Sequence, residues 1–239
     1  MKKYLLIVVL FLCSFFTTPL YAQEKGFEHI SEFNSYITIN QDATIDVREE
    51  IHYFFDNPRR GIIWQYPVEY NVSGFRRSTA VDINDVFYYP EGNPGNREDP
   101  YERTDSGGWV ELKIGNPDRT ITGSYVYVIE YTLTGVGISY FDTHDEVYFN
   151  VIGPGWQVPI SQANAYIRSF MDPTESICYT GQEGSTQQNC NFTQVEEGII
   201  LTTTSELQPY EALTFAFKYP PNSIEDRTSQ IWLGLIISN

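Results

Sequence analysis

The sequence contains few of the residues on which many common enzymes and nucleic-acid-binding proteins depend. Its 239 residues include three cysteines, three histidines, and 15 lysines and arginines against 31 aspartates and glutamates. The net charge of −16, with no basic patch, argues against nucleic acid or another polyanion as a partner and against electrostatic docking on anionic lipid. The sequence also has no Gly-rich phosphate loop, nucleophile-elbow serine or metalloprotease helix motif. It therefore identifies no catalytic, cofactor-binding or metal-ligating residue.

Long apolar runs are also scarce, and the most complete one lies at the N-terminus. It covers Tyr4–Phe16, follows Lys2 and Lys3, and precedes a short segment that ends in the small residue Ala22. This is the layout of a secretory signal peptide, so residues 1–22 are predicted to be a cleaved leader and the protein to be exported to the cell envelope. The run of about 13 residues is shorter than the ~20 that a membrane-spanning helix needs, so an uncleaved anchor is the less favoured alternative.

Cleavage of the leader would remove Cys13 and leave two cysteines, Cys178 and Cys190. An even pair in an exported chain favours a disulfide, which is predicted here. The bond would close a loop of about a dozen residues that is rich in Gly, Gln, Ser and Thr and has little apolar surface of its own. The alternative is a metal site, but two thiols without neighbouring histidines are a poor ligand set for zinc. With both cysteines bridged, a thiol nucleophile is not expected.

The composition is typical of an all-β protein. Aromatic residues make up 15% of the chain, Thr, Val and Ile are abundant, and no long segment has the period of a helix. Strand-like runs alternate with turn residues, which predicts one antiparallel β-sandwich domain, Ig-like or jelly-roll-like, over residues 27–221. The polar segment Pro90–Gly108 is too long for a tight turn and is predicted to be a surface loop. The predicted strands are Phe33–Ile39, Thr44–Phe55, Ile62–Val68, Val81–Tyr89, Trp109–Ile114, Ser124–Leu133, Glu146–Ile152, Gln162–Phe170, Ile177–Tyr179, Gly198–Thr204 and Ala212–Tyr219.

Two polar side chains fall on the apolar faces of predicted strands. Strand alternation places Glu49 on the same face as Val47 and Ile51, where a lone charge is unstable without a cation or several N–H donors. Arg60, just after this strand, is its predicted partner. Asn150 lies between two apolar residues of its own strand face, and its amide is predicted to be satisfied by backbone groups. Both polar residues are interpreted as structural.

The remaining titratable residues do not form a recognisable catalytic set. Glu49 and Glu50 are neighbours, but strand alternation sends them to opposite faces, so they cannot flank one glycosidic bond. Glu50 and His52 share a face, but a single exposed pair of an acid and an imidazole is usually part of the solvated surface. The carboxylates of Asp142–Glu146 could hold a hard cation, and the alternative is a charged loop that precedes a strand.

The most distinctive block of the sequence is Asp145–Ile160, in which a strand carrying Asn150 runs into a Gly-Pro-Gly turn and then Trp156. Five other blocks are also diagnostic. They are Asp42–Ile51, Arg60–Pro67, Gly123–Tyr131, Cys178–Gly181 with Cys190, and Leu207–Thr214. Together and in this order the blocks resemble the motifs of DUF2207 (domain of unknown function 2207), the exported portion of predicted bacterial membrane proteins, over roughly residues 30–221.

The resemblance implies an extracytoplasmic domain of a membrane-anchored protein with no established biochemical activity. Trp64 stands at the second arginine of the family motif Arg/His-Gly-Ile-x-Arg-x-Ile-Pro, so a role for that cation is not expected. Residues 222–239, a polar spacer followed by an apolar segment, are either a last edge strand or the start of the family's membrane helix, which is not itself visible. The residues that carry the family signature are Gly61, Pro67, Asp145, Asn150, Gly153, Trp156 and Pro159.

Three functions are compatible with this sequence. The preferred hypothesis is a non-catalytic ectodomain that binds or assembles with an unknown protein or an envelope glycan. The first alternative is a cell-envelope hydrolase with a site built from distant loops, which Glu or Asp pairs lining a pocket with Trp156 would favour. The second is a carbohydrate-binding module, which exposed aromatics such as Tyr88, Tyr89 and Tyr101 lying flat in one row would favour. Scattered surface tyrosines are the simpler interpretation of those three.

Overall fold

The computed structural model describes residues 26–72, 75–135 and 137–225. The predicted leader 1–22 and most of the predicted spacer 222–239 lie outside the described residues. Within the three ranges, no helix is long and apolar enough to cross a membrane. The strands, β1 to β16 in chain order, are His29–Ile39, Thr44–Arg59, Ile62–Pro67, Glu69–Val72, Phe75–Ser78, Ala80–Pro90, Tyr101–Ser106, Trp109–Ile114, Ile121–Thr134, Ile138–Tyr140, Asp145–Ile152, Ala163–Ser169, Glu175–Gly181, Cys190–Val195, Gly198–Thr203 and Ala212–Tyr219.

These strands form sheets of seven, four, three and two strands. The large sheet has the order β14-β15-β12-β1-β2-β9-β6, and the four-stranded sheet has the order β10-β11-β16-β13. The three-stranded sheet has the order β3-β8-β7, and β4 pairs with β5. Most neighbours are antiparallel, whereas β1 and β12 run parallel. The predicted all-β sandwich is confirmed. It differs from the prediction in one respect, since the sequence predicts sheets that are antiparallel throughout, and β1 and β12 are parallel.

One face of the seven-stranded sheet forms the core, and the four- and three-stranded sheets pack on that face. In β2, alternate residues from Ile45 to Phe55 are buried, as the period of a strand requires. The ring of Trp64 in β3 lies 5.1 Å from that of Tyr131 in β9, and the ring of Phe217 in β16 lies 5.7 Å from that of Phe192 in β14. Because β9 and β14 lie near opposite edges of the large sheet, the second layer is divided between two sheets.

A disulfide joins the two layers. Cys178 in β13 is bonded to Cys190 in β14, with their Cα atoms 6.4 Å apart, which confirms the predicted pair. Both cysteines are buried. Because β13 belongs to the four-stranded sheet and β14 to the seven-stranded sheet, the bond holds one sheet against the other as well as closing the loop between them.

The predicted strands are all present, with boundaries displaced by a few residues, but five short strands are not apparent from the sequence. These are β4, β5, β7, β10 and β14. Strand β7 lies within Pro90–Gly108, so the prediction of a surface loop is wrong for that part. All six residues of β7 are exposed, so the strand has no alternation of buried and exposed positions, and its backbone pairs with β8. A pattern of buried side chains cannot reveal such a strand.

Replacing both cysteines with serine, in the variant C178S/C190S, is expected to lower the free energy of unfolding by about 3 kcal/mol. The physical reason is that the unfolded chain regains the loop entropy that the bond removes. Equilibrium urea unfolding, followed by tryptophan fluorescence, measures the difference. Equal unfolding midpoints for the unmodified protein and the double variant would contradict the stabilising role of the bond.

Candidate functional site

A cleft of about 480 Å³ lies between the three-stranded sheet and the four-stranded sheet. One wall is the edge of β3, where five consecutive residues, Ile63–Pro67, line the cavity. Because successive residues of a strand point to opposite faces, a cavity that contacts all five runs along the edge of the strand and not over one face. One edge of β3 pairs with β8, and the other, here called the outer edge, pairs with no described strand. The outer edge therefore faces the cleft.

The opposite wall is the outer face of the hairpin formed by β10 and β11. Glu146, Tyr148 and Asn150 of β11 point outward here, while the residues between them are buried in the core. Ser139 of β10 pairs with Glu146 and lies on the same wall. The ring of Phe141, which is half-exposed, completes this side. The wall thus combines two aromatic rings with a carboxylate, an amide and a hydroxyl group.

The floor of the cleft includes Phe33, Glu49, Trp64 and Trp156. Trp156 is partly buried and packs edge-on against Phe33, with the ring centroids 5.9 Å apart. Trp64 is almost fully buried and its ring lies 5.9 Å from that of Tyr66. Aromatic residues from three separate parts of the chain therefore share the floor with its one acidic residue.

Glu49 is held by two neutral hydrogen-bond donors. The side chain is 4% exposed. The Tyr131 hydroxyl donates to Oε1 at 2.6 Å, and Trp64 Nε1 donates to Oε2 at 2.8 Å. Burial raises the pKa of Glu49 to about 7, although both hydrogen bonds act in the opposite direction. Burial and the neighbouring Glu49 also raise the pKa of Tyr131, which keeps its hydroxyl protonated as a donor.

The predicted burial of Glu49 is confirmed, but its predicted partner is wrong. Arg60 is exposed in the turn after β2, and the carboxyl contacts Trp64 and Tyr131 instead. Strand alternation explains the difference, because it turns residue 64 of the next strand toward the core. Trp64 is also the position at which the chain departs from the arginine of the family motif. An indole N–H cannot offset the charge of a carboxylate, so desolvation dominates the pKa.

The prediction that Asn150 is a buried amide satisfied by backbone groups is wrong. Asn150 is exposed on the cleft wall, and its Oδ1 accepts a hydrogen bond from Thr214 Oγ1 at 2.7 Å. The reason is the phase of β11, in which Phe149 points inward. A register shift between Asn150 and Ile152 then lets both Val151 and Ile152 be buried. Asn150 is consequently a polar group available to a molecule in the cleft.

Four of the seven residues that are expected to carry the family signature lie in the cleft. These are Pro67, Asn150, Gly153 and Trp156. Pro67 comes from one sequence block and the other three from a second, and because Pro67 and Trp156 are 89 residues apart (156 − 67), only the tertiary structure brings the two blocks together. The shared location identifies the cleft as the candidate functional site.

The other three signature residues shape the surrounding chain. Gly61 has a φ of 133°, and a Cβ at this position would lie 1.9 Å from the carbonyl oxygen of Ile114, so only glycine fits the turn before β3. Asp145 is buried and its carboxylate accepts hydrogen bonds from the backbone N–H of Asn222 at 3.3 Å and of Ile224 at 3.0 Å. The carbonyl of Pro159 accepts the N–H of Ile30 at 3.0 Å.

Within the Asp142–Glu146 segment, Asp142 to His144 form a loop that leads into β11, and Asp145 and Glu146 are the first two residues of that strand. The carboxylate of Asp145 points inward to the backbone and away from solvent. His144 Nε2 lies 3.9 Å from the Glu146 carboxylate, and the His144 ring stacks on Phe141 at 4.6 Å. Among the described residues there is no group of three or more His, Cys, Asp or Glu side chains that could hold a metal ion.

Tyr88, Tyr89 and Tyr101 do not form the flat row that would favour a carbohydrate-binding module, and Tyr88 is not a surface residue. Tyr88 is 1% exposed, its ring stacks on Tyr127 at 5.2 Å, and its hydroxyl donates to Glu98 at 3.1 Å. Tyr101 is half-exposed but belongs to β7, in a different sheet from Tyr88 and Tyr89. The period of β6 buries Tyr88 and leaves Tyr89 partly exposed, so the three rings do not form a flat platform.

The sequence does not identify three residues that line the cleft, which are Trp64 as a donor, Glu146 and Tyr148, nor Tyr131 as the second partner of Glu49. A signal for Trp64 is present, because alternation with Ile62 places its indole on a buried face, where the N–H requires an acceptor. Glu146 and Tyr148 carry only the pattern of exposed strand positions. No periodicity distinguishes a cleft wall from ordinary surface.

Glu49→Gln is expected to remove a pH dependence of stability. The folded-state pKa of Glu49 is about 7 and its ordinary value is 4.5, so protonation favours the folded state. That contribution is complete below pH 4.5 and is lost as the pH rises through 7; the pKa difference corresponds to about 3 kcal/mol. The amide keeps both contacts, since its oxygen accepts from Trp64 and its NH₂ group donates to the Tyr131 hydroxyl.

Urea unfolding at intervals from pH 4.5 to 8 measures this effect. E49Q should become progressively more stable than the unmodified protein as the pH rises above 5. Glu130→Gln is the matched control, because Glu130 is partly exposed and pairs with Arg48 at 3.2 Å. Parallel stability–pH curves for E49Q and the unmodified protein would show that Glu49 does not titrate in this range.

Comparison with solved structures finds distant similarity to peptidases and a hydrolase. An M1 zinc metallopeptidase from Deinococcus radiodurans is 10% identical over 79% of this chain and 42% of its own, with a TM-score of 0.42. A putative protease from Parabacteroides distasonis is 12% identical over 81% of this chain and 40% of its own, with a TM-score of 0.45. Native leukotriene A4 hydrolase from Saccharomyces cerevisiae is 8% identical over 80% of this chain and 29% of its own, with a TM-score of 0.46. The chain spans less than half the length of each, and similarity this low supports no conclusion about activity.

Comparison with curated proteins finds no match. A family model described as a predicted membrane protein (DUF2207) N-terminal domain matches residues 29–219, which include the cleft and the disulfide. The match confirms the resemblance of the sequence blocks. This chain therefore belongs to the DUF2207 family of predicted membrane protein N-terminal domains.

Proposed function

We propose that this domain is an extracytoplasmic, non-catalytic binding module of a membrane-anchored protein, and that the cleft beside β3 is its ligand site. One observation carries the proposal: the outer edge of β3 and the polar outer face of the β10–β11 hairpin enclose a single aromatic-floored cleft. Ligand pockets are typically concave, ~300–1,000 Å³ in volume, and mainly apolar with a few convergent polar groups. The cleft, at about 480 Å³, has this form.

The extracytoplasmic location is supported by features outside the cleft. Residues 1–22 have the layout of a signal peptide, and the family is described as the N-terminal domain of predicted membrane proteins. The Cys178–Cys190 disulfide is also typical of proteins that fold in an oxidising compartment. These observations favour an ectodomain as the setting in which the cleft meets its ligand.

The role of Glu49 is consistent with binding. Both of its carboxyl oxygens already accept hydrogen bonds, from Trp64 and from Tyr131. These contacts connect β2 to β3 and β9, so the acid positions the wall of the cleft. Binding sites need such rigid support, because a ligand gains affinity when the groups that contact it are already in place.

One observation favours the hydrolase alternative. Glu49 and Glu146 line the same cleft as Trp156, and a carboxyl with a pKa of about 7 has the proton affinity of a general acid. In that case Glu49→Gln would abolish turnover of a cleft-bound peptide or oligosaccharide without preventing its binding. Chromatography of a mixture of acetylated pentapeptides and neutral oligosaccharides, before and after incubation with the protein, would detect such turnover.

Filling the cleft is expected to abolish ligand binding. Gly155 lines the cleft, its φ is compatible with a side chain, and the nearest atom to an added Cβ is the Gln65 carboxamide oxygen at 3.6 Å. Gly155→Phe should therefore place a ring in the cavity without straining the backbone. Gly95→Phe is the matched control, because Gly95 lies in an exposed loop where an added Cβ meets only the Asn93 side chain at 3.9 Å.

Saturation-transfer NMR with the same mixture of acetylated pentapeptides and neutral oligosaccharides detects binding of any of its components. Signal transfer to at least one component is expected with the unmodified protein and with G95F, and its loss is expected with G155F. Transfer that persists in G155F would place binding elsewhere. Absence of transfer to either class in the unmodified protein would also contradict the proposal.

A further inference from the structure

The cleft favours a ligand of positive charge. Glu49 and Glu146 line it, and the described residues of its lining include no Lys, Arg or His. The imidazole of His144 approaches Glu146, but its Nε2 at 3.9 Å is too far for a hydrogen bond. Lys218, which pairs with Glu146 across the sheet, donates instead to Glu175 at 2.8 Å. The Glu146 carboxylate therefore keeps acceptor capacity toward the cleft.

Aromatic rings around the two acids strengthen this preference. Tyr148 and Phe141 are about half exposed, and Trp156 is partly exposed on the floor. The face of an aromatic ring attracts an ammonium or guanidinium group, and the attraction increases where water is excluded. The net charge of −16 adds a long-range field that draws cations toward the protein.

The outer edge of β3 determines which kind of molecule carries the cation. Along this edge, which pairs with no strand in the described part of the chain, the backbone presents alternating N–H and C=O groups to the cleft. An extended peptide satisfies such an edge by adding as a further strand, and pockets beside the edge then select its side chains. A sugar or a small amine offers no matching row of donors and acceptors.

We infer that the cleft takes an extended peptide segment of a partner protein as an added strand on β3, with a lysine or arginine side chain of that segment directed at Glu146 and Glu49. The inference rests on the proposed function, since it assigns a ligand class to the same cleft. Main-chain pairing would supply affinity, and the acids with their aromatic surroundings would supply the selection for a basic residue.

Two matched peptides test the charge selection. The probes are acetylated, amidated Thr-Val-Lys-Val-Thr and the same peptide with glutamine in place of lysine, measured by isothermal titration calorimetry at pH 8, where Glu49 is ionised. The lysine peptide is expected to bind at least about tenfold more tightly. Glu146→Gln should remove this advantage, and Glu130→Gln, which makes the same charge change on the outer face of the large sheet, should preserve it. Circular dichroism confirms that each variant is folded.

Two further probes test the strand addition. A lysine peptide methylated at alternate backbone nitrogens loses the donors that pair with β3 and should bind at least about tenfold more weakly. n-Butylamine carries the ammonium without a backbone and should bind more weakly still. Equal binding of n-butylamine and the lysine peptide would overturn strand addition, as would full affinity of the methylated peptide.

The outcomes separate this inference from the proposed function. If the glutamine peptide binds as tightly as the lysine peptide, and G155F abolishes both, the cleft is a binding site but the charge selection is overturned. The same holds if neutral oligosaccharides bind in a G155F-sensitive manner and neither peptide does. If E130Q and E146Q lose the preference for the lysine peptide to the same extent, the preference reflects the overall charge of the protein, and the inference is overturned. Peptide binding that G155F leaves unchanged would overturn the proposed function itself.

Discussion

The arrangement of this domain depends on the burial of one carboxyl group, that of Glu49. An acid removed from water must find hydrogen-bond donors, and here one comes from Tyr131 on the adjacent strand and the other from Trp64 in the second layer. The first contact lies within the large sheet, and the second crosses to β3. Glu49 therefore links β3 to the seven-stranded sheet through Trp64, next to the packing of Trp64 and Tyr66 on Tyr131, and so helps to position the outer edge of β3.

The division of the second layer into two sheets creates the cleft. A single continuous sheet would pair the outer edge of β3 and leave no gap, whereas here β3 and the β10–β11 hairpin face each other across about 480 Å³. An open strand edge is ordinarily a liability, because it can pair with any exposed strand. Enclosure between acidic and aromatic side chains limits what can approach it. The Cys178–Cys190 bond holds the other sheet of this layer in place.

The position of a strand can be predicted from the sequence where one face of the strand is buried. The prediction fails where neither face is buried. Strand β8 is predictable to the residue because apolar side chains alternate along it, while β7 pairs through its backbone alone and has no such pattern. The same limit applies to partners of buried polar groups. Alternation correctly places Glu49 inside. Arg60 is the predicted partner because it is close in the sequence, but proximity along the chain does not show which residue of another sheet lies opposite. Asn150 is misplaced because the register shift in β11 changes the phase.

The sequence by itself determined the all-β class, the cysteine pair, the family and the burial of Glu49, since each depends on local composition, on residue period or on ordered motifs. The tertiary structure alone decided that Trp64 and Tyr131 hold the acid and that Pro67, Asn150, Gly153 and Trp156 share one cleft with the outer edge of β3. These are contacts between residues far apart in the chain. They arise from how sheets pack, and the packing depends on the whole set of side chains at once and on no single segment.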